Sequence, residues 1–391
     1  MRSFSRAGLS AVTASAMAVA TFPIVIFSVL AATFISEFDL SRWQMGTLIT
    51  AVAIVAGALS PTLGRATDRL GAVKSMIGVL VLGAIALGAI SLAPSYWWLV
   101  LAGLVSGIPN GWANPATNTL IVDNVVSGSR GFVTGIKQSG VQLGTFLGGL
   151  ILPALALAWG WRGAVLAFLF VPAAGLVGMV GRRDVIHEDA NVGSGPSTIP
   201  TPVKWTAVYG ALSGLATSAA IGFLPLFAEE DQMWGATQAG WLIAGLGLVG
   251  LVGRIVWPRI AERRLGHGLT LVILAVESCI AASLLGLAAS GVLSSWVLIL
   301  AALLLGAGSI AWNAVGMLAV MDFSPHHLVG KSTGVVLLGF LLGLAVGAPI
   351  MGLSVDLLGS YAPGWFGVAG LLIAAAFVGA KVGRSSVVAV S

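Results

Sequence analysis

The stretch Gly135-Ile136-Lys137-Gln138-Ser139-Gly140-Val141-Gln142-Leu143-Gly144 returns 199 residues later as Gly334-Val335-Val336-Leu337-Leu338-Gly339-Phe340-Leu341-Leu342-Gly343. The glycine spacing continues to Gly148 and Gly347, and the same offset carries Asn114 onto Asn313 and Asp123 onto Asp322. Between the matched glycines, Lys137 and Gln138 give way to Val336 and Leu337. The chain is therefore a duplication, and its two halves differ by one cation set in an apolar segment. That combination predicts a duplicated membrane protein whose recognition chemistry sits in one half.

The composition requires lipid around most of the chain. Of 391 residues, 58% are hydrophobic and only 8% charged, which leaves too few polar groups to cover a water-soluble globule of this size. A helix needs about 20 apolar residues to cross roughly 30 Å of hydrocarbon. Such runs fall near 9–35, 43–64, 74–93, 97–122, 130–157, 161–181, 204–228, 237–258, 268–290, 295–320, 330–356 and 361–381. The expected fold is an all-α membrane protein with twelve transmembrane helices in two pseudo-symmetric six-helix bundles. The polar, Gly/Ser/Pro-rich stretch in the middle divides it into 1–181, a linker at 182–203, and 204–391.

The cations fix an orientation. With the N-terminus in the cytoplasm and the spans alternating, 16 of the 19 Lys and Arg residues fall inside, Arg254 among them; Arg42 and Arg162 fall outside and Lys137 lies within the membrane. A missed or invented span would scramble that bias, so it supports both the count and the placement of both termini in the cytoplasm of a bacterial-type inner membrane. The net charge of +5 then needs no nucleic-acid partner. Arg2 and Arg6 before an apolar run could begin a signal peptide, but Gln44 and Gly46, which follow that run, already match Gln238 and Gly240 of the second half. Cys279 is the only cysteine, which excludes internal disulfides and cysteine metal clusters. His187, His267, His326 and His327 fall in loops without metal-ligand spacing beyond the adjacent pair, so neither a metal nor a cofactor is expected.

At the exit of the second span stands Gly64-Arg65-Ala66-Thr67-Asp68-Arg69-Leu70-Gly71-Ala72-Val73-Lys74, with glycines suited to close approach and sharp reversal and charges at a helix end. The second half has a degenerate copy, Pro258-Arg259-Ile260-Ala261-Glu262-Arg263-Arg264-Leu265-Gly266. The first string closely resembles the signature loop between the second and third helices of the major facilitator superfamily, except that the family favours consecutive basic residues where this chain has Ala72-Val73-Lys74. With twelve spans, a central linker and duplicated halves, the resemblance covers essentially the whole chain. It implies alternating access between two bundles, with a loop containing Gly64, Asp68, Arg69 and Gly71 that latches them on the cytoplasmic side. Asp68 would then face a helix N-terminus or an arginine of the other bundle. The plainer alternative is that these residues fix only topology and a turn.

Lys137 is the candidate recognition residue, because a lysine at helix centre costs about 2.5 to 3.5 kcal/mol on insertion scales. It lies seven residues beyond Arg130, roughly 10 Å from the cytoplasmic end at about 1.5 Å per residue. From there it could also snorkel to the interface or form a structural ion pair. Gln138 and Gln142 continue the polar character, and folding the hairpin about residues 126 and 127 sets Lys137 level with 115–118 and Gln142 level with Asn110. The expected pocket comprises Lys137, Gln138, Gln142, Asn110, Asn114 and Trp112, with Trp312, Asn313 and Tyr209 across the symmetry axis. Glu277, in the ninth span, is expected to serve an interhelical hydrogen bond ahead of proton coupling.

These features predict a secondary transporter, with the lipid bilayer and a small anionic solute as partners, a coupling proton as a further one, and a monomeric assembly. The Lys-Gln-Ser-Gly string resembles uptake proteins grouped with cyanate permeases. An exporter of drugs or metabolites is the alternative. No intramembrane nucleophile and base are paired in the sequence, so no catalytic residue is expected.

Overall fold

A computed structural model describes residues 4–125, 130–184, 198–325 and 328–390; His187, His326, His327, most of the linker and the turn at 126–127 lie outside the described residues. The first half contains α1 (Arg6–Val29), α2 (Ala31–Phe38), α3 (Arg42–Leu70), α4 (Ala72–Ser91), α5 (Tyr96–Asn124), α6 (Arg130–Ala167) and α7 (Phe170–Met179). The second contains α8 (Thr201–Glu230), α9 (Ala236–Ile260), α10 (Gly266–Ala289), α11 (Val297–Leu305), α12 (Trp312–Phe323), α13 (Val329–Leu358) and α14 (Ala362–Val390). Short π-helical segments occupy Ala261–Leu265 and Gly306–Ile310, and no strand occurs among the described residues.

Nine stretches among the described residues are long and apolar enough to cross a membrane. Two of them, Val133–Met179 with 47 residues and Ala236–Ala289 with 54, are twice the needed length. Each turns at a glycine of positive φ, Gly160 at 70° and Gly266 at 73°, a backbone region that other residues rarely enter. Outside these nine stands α5, a 29-residue helix interrupted by Asn110, Asn114, Asn118 and two prolines. Counting it, and both halves of the two long stretches, gives the twelve passes that the sequence predicts. The cations Arg65, Arg69, Lys74, Arg182, Arg259 and Arg263 then collect at one end of the bundle, called here the basic end.

The duplicated glycines hold equivalent helices together. A Cβ on Gly140 would stand 2.8 Å from the Ala14 carbonyl carbon, and Gly144 and Gly148 likewise meet α1 at Ala18 and Val25. In the second copy Gly339, Gly343 and Gly347 press on the backbone of α8 at Ala207, Ala211 and Leu215. Close approach of backbones is how helices gain contact in lipid, where hydrophobic attraction between them is absent. Gly135 and Gly334, the first members of each copy, have nothing within 4 Å.

A second repeated pair joins the halves. Gln44 accepts from the Ser41 N–H at 2.8 Å and Gln238 from the Gly235 N–H at 3.3 Å, so each caps the start of its helix. Two residues on, Gly46 meets the α13 backbone at Ala348 and Pro349, and Gly240 meets α6 at Gly149 and Pro153. Two seams result, α3 on α13 and α6 on α9. Hydrogen bonds tie the halves at the end away from the basic one: Ser28 donates to the Ile221 carbonyl, Thr50 to the Ala345 carbonyl at 2.5 Å, and Arg42 and Trp43 to Glu230 and Asp356. Toward the basic end α5 has no sustained contact with α12, nor α6 with α13. The halves are closed at one end and apart at the other.

Gly343→Val should lower the melting temperature and folded yield, because overpacking a tight contact costs about 1 to 3 kcal/mol. Gly334→Ala, at the open member of the same repeat, should leave both unchanged. Equal melting of the two variants in detergent would contradict the packing role.

Candidate functional site

Lys137 is 1% exposed. Its ammonium crosses from α6 to α5, donating to the Asn118 Oδ1 at 2.7 Å and the Asn114 Oδ1 at 3.0 Å. The two asparagines are one turn apart on α5 and so share a face. This geometry matches the depth expected from folding the hairpin, and it differs from snorkelling, since the side chain reaches a neighbouring helix and not the interface. Both acceptors are neutral amide oxygens. No carboxylate lies within ion-pairing distance of Lys137 among the described residues, so the contacts solvate the charge without cancelling it. Asn118 itself is exposed toward the basic end.

The remaining expected pocket residues divide into two groups. Gln138 lies half-buried beside Lys137, and Asn313 is half-buried on α12. Gln142 is 3% exposed and turns away from Asn110 toward α9, where its Oε1 faces Gly250 and has no hydrogen-bond partner. Asn110 instead donates to the Ala20 carbonyl at 2.7 Å and ties α5 to α1. Trp112, Trp312 and Tyr209 do not form pocket walls. The indole of Trp112 fills the space over Gly78 and donates to the Thr67 hydroxyl at 2.9 Å, inside the first half. Trp312 is 1% exposed between Tyr209 and Phe340, and the Tyr209 hydroxyl donates to the Leu271 carbonyl at 2.9 Å. Large rings with one polar atom are stable where that atom finds a partner in the core, and all three do so or pack fully. Glu277 has no hydrogen bond or ion pair among the described residues, so the expected interhelical bond is not made there; its neighbour Ser278 bonds within its own helix, to the Leu274 carbonyl.

The signature loop is organised around Gly71. Its φ of 90° ends α3 and starts α4, and the Asp184 carboxylate packs on it and accepts from the Val73 N–H at 2.6 Å. An acidic group at a helix N-terminus is stabilised by the free N–H groups there. The start of the linker is thereby anchored, a role for Asp184 that composition did not suggest. Gly64 lies inside a continuous helix with nothing within 4 Å, so the close approach expected of it is not made. Asp68 and Arg69 are exposed and form no hydrogen bond or ion pair among the described residues. They stand at the end where the halves are apart, which is why no partner reaches them.

Arg254 is a functional candidate that charge counting hid. It lies within α9, six residues before its end, and its Nε donates to the Ile310 carbonyl at 3.4 Å, at the π-helical segment preceding α12. The apolar run 237–258 already enclosed it, which was the available signal.

Two matches to the family model of the major facilitator superfamily, at residues 10–292 and 206–387, together span nearly all of the sequence. The chain belongs to the major facilitator superfamily. Among curated superfamily relatives, the multidrug resistance efflux pump PmrA of Streptococcus pneumoniae is 27% identical over 243 residues, 58% of this chain and 59% of that one. A hexuronate transporter of Bacillus subtilis is 27% identical over 38% of this chain and 35% of its own, and a gallate transporter of Pseudomonas putida 29% identical over 39% and 34%. The chain thus spans about three fifths or less of the length of these relatives. A bacterial homologue of the lysosomal transporter Spinster, solved inward-facing and unoccupied, superposes with a TM-score of 0.77 at 17% identity over 97% of both chains and shares the fold.

In this superfamily member the closed end is held by charge as well as packing. Asp356, near the end of α13, accepts from the backbone N–H of Arg42 at 3.2 Å and of Trp43 at 2.8 Å, the first residues of α3. The Arg42 guanidinium donates to Glu230 at 2.8 Å and lies 3.6 Å from Asp356, and the Tyr361 hydroxyl donates to Glu230 at 2.5 Å. Asp356→Ala removes the cap and one ion pair together. It should increase modification of a cysteine introduced at Thr47 by a bulky thiol reagent several-fold, while the melting temperature stays near wild type. Unchanged labelling would remove this cluster from the closure.

Proposed function

We propose that the protein is a secondary transporter that moves a small organic anion across the inner membrane by alternating access, with Lys137 as the solute's counter-ion. The observation that carries this reading is a fully buried ammonium solvated by two amide oxygens and lacking a carboxylate. A cation kept in the membrane interior without an ion pair is costly, and an arriving anion would supply the missing charge. The names of two relatives support an anionic solute, since hexuronate and gallate are carboxylates. Lys137, Asn114 and Asn118 form the first contacts, with Gln138 and Gln142 alongside and Asn313 across from them.

By the positive-inside bias the basic end is cytoplasmic, and the halves part on that side. Solute would reach Lys137 past the exposed Asn118 and leave outward after the seams reopen at the Arg42 end, or make the reverse passage. Asp68 and Arg69 find their partners when the cytoplasmic end shuts. The unit is a monomer of two bundles, 1–181 and 204–391. The efflux relatives favour a second reading, export of a larger apolar solute, in which Lys137 serves only to hold α6 to α5.

Lys137→Gln separates the two. Charge-assisted hydrogen bonds contribute about 1.5 to 3 kcal/mol, so the substitution should weaken binding of glucuronate and gallate roughly tenfold to a hundredfold. It should spare neutral analogues such as glucose amides and leave the fold intact, as read from ligand-dependent melting of the purified protein. Lys137→Arg should retain part of the affinity. Equal affinity of wild type and Lys137→Gln for the same anions would refute the counter-ion role and favour the exporter.

A further inference from the structure

The inner part of the α6–α9 seam carries two cations, one from each half, and no acid. Gln142 fixes the register: its backbone and amide face Gly247 and Gly250 of α9. From Gln142, Lys137 lies five residues toward the basic end along α6; from Gly250, Arg254 lies four residues the same way along the antiparallel α9. At about 1.5 Å per residue the two Cα positions lie within a few ångströms of the same depth. The helix ends give the same answer, since Lys137 is seven residues from the start of α6 and Arg254 six from the end of α9.

Arg254 offers five N–H donors and uses one, at 3.4 Å to a carbonyl. It has no carboxylate partner among the described residues, and neither α6 nor α9 contains an Asp or Glu. About one helical turn further from the basic end than the two cations, the buried amide of Gln142 presents an oxygen without a partner, packed against Gly250. A native structure seldom leaves such an atom unpaired, and a binding site is one of the accepted reasons. Ile310, the carbonyl on which Arg254 rests, ends a π-helical segment, a local rearrangement that recurs at functional sites. Asn313, half-buried, follows Ile310 by three residues, within one helical turn of that carbonyl.

We propose that Arg254 is the second cation of the solute site and that the preferred solute is a dianion, a small dicarboxylate, gripped by Lys137 from one half and Arg254 from the other, with the Gln142 amide about one turn deeper. The inference rests on the anion reading above and sharpens it. One carboxylate bonds the Lys137 ammonium beside Asn114 and Asn118; the other takes the planar fork of Arg254, which suits a carboxylate edge-on. A monoanion leaves one cation unneutralised in a medium of low polarity, so it binds less well. A solute held from both halves also draws their parted ends together, which links binding to closure.

The test uses the purified full-length protein, with binding read by ligand-dependent melting and by calorimetry for succinate and glutarate as dianions, butyrate as a monoanion and succinamide as the neutral isostere. Wild type should bind the dianions at least tenfold more tightly than butyrate, and succinamide not measurably. Arg254→Gln should reduce dianion affinity tenfold or more, to the level of butyrate, while changing butyrate affinity less than threefold. Arg254→Lys should keep an intermediate preference, and its melting without ligand checks that the α9–α12 contact survives. If Lys137→Gln weakens every anion while Arg254→Gln and Arg254→Lys leave the ratio of dianion to monoanion affinity at its wild-type value, the two-cation site is wrong and the anion reading stands. If no member of the panel shifts wild type, or Lys137→Gln changes nothing, the anion reading itself fails and this inference with it.

Discussion

An ammonium group can persist inside an apolar helix bundle only where oxygen atoms surround it, and the architecture around Lys137 supplies them. The glycine ladder Gly140, Gly144 and Gly148 presses α6 against α1, which fixes the rotation of α6 and sends the lysine toward α5. Asn114 and Asn118, one turn apart, then meet it with two carbonyl oxygens. Asn110 completes the arrangement by holding α5 to α1 through the Ala20 carbonyl. Sequence pattern, helix packing and the chemistry of the site are thus one chain of cause: shift the ladder by a residue and the cation loses its oxygens.

The duplication explains why the halves look alike and act differently. Both copies of the ladder join a helix to the first helix of their own half, and both Gln-x-Gly starts cap a helix and admit the opposite half two residues later. These shared devices make two equivalent seams between the halves. The difference is carried by a few positions. Where α6 has Lys137, α13 has Val336, fully buried beside α8. Where α9 has Arg254, α3 has Ser60 at the matching offset. Each half contributes one unpaired cation, on helices that meet face to face. At the other end Asp356 caps α3 across the seam, so the closed face is tied by acid and base.

Much of this was legible in the sequence because lipid makes strict demands. Span lengths, cation bias and the repeat gave the architecture, and the cost of a buried lysine singled out Lys137 before any contact was known. Its depth relative to 115–118 followed from folding one hairpin. What could not be read was rotation about the helix axis. Trp112, Trp312 and Tyr209 lie at depths compatible with a pocket yet face Gly78, Phe340 and Leu271 inside their own halves. Hairpin register sets Gln142 opposite Asn110, yet it faces α9, because the glycines that decide its direction lie on a helix a hundred residues away. Arg254 reads as a topology charge in the sequence, since a cation six residues from a helix end satisfies the inside bias whether it points to water or to a site. The latch expected of Asp68 and Arg69 needs a partner from the other half, and both residues stand exposed at the end where the halves are apart.

The central claim is that an anion taken up between two cations brings the parted ends of the halves together. Val122 on α5 and Met321 on α12 are equivalent positions of the repeat, exposed at 45% and 54%, at the end where the halves separate. Spin labels at these two sites in the full-length protein report the gap directly by pulsed electron resonance. The account predicts that saturating succinate shifts the distance distribution to shorter values, that succinamide does not, and that the shift disappears in Lys137→Gln. An anion that binds by calorimetry yet leaves the distribution unchanged, or closes the gap equally well without Lys137, would contradict it.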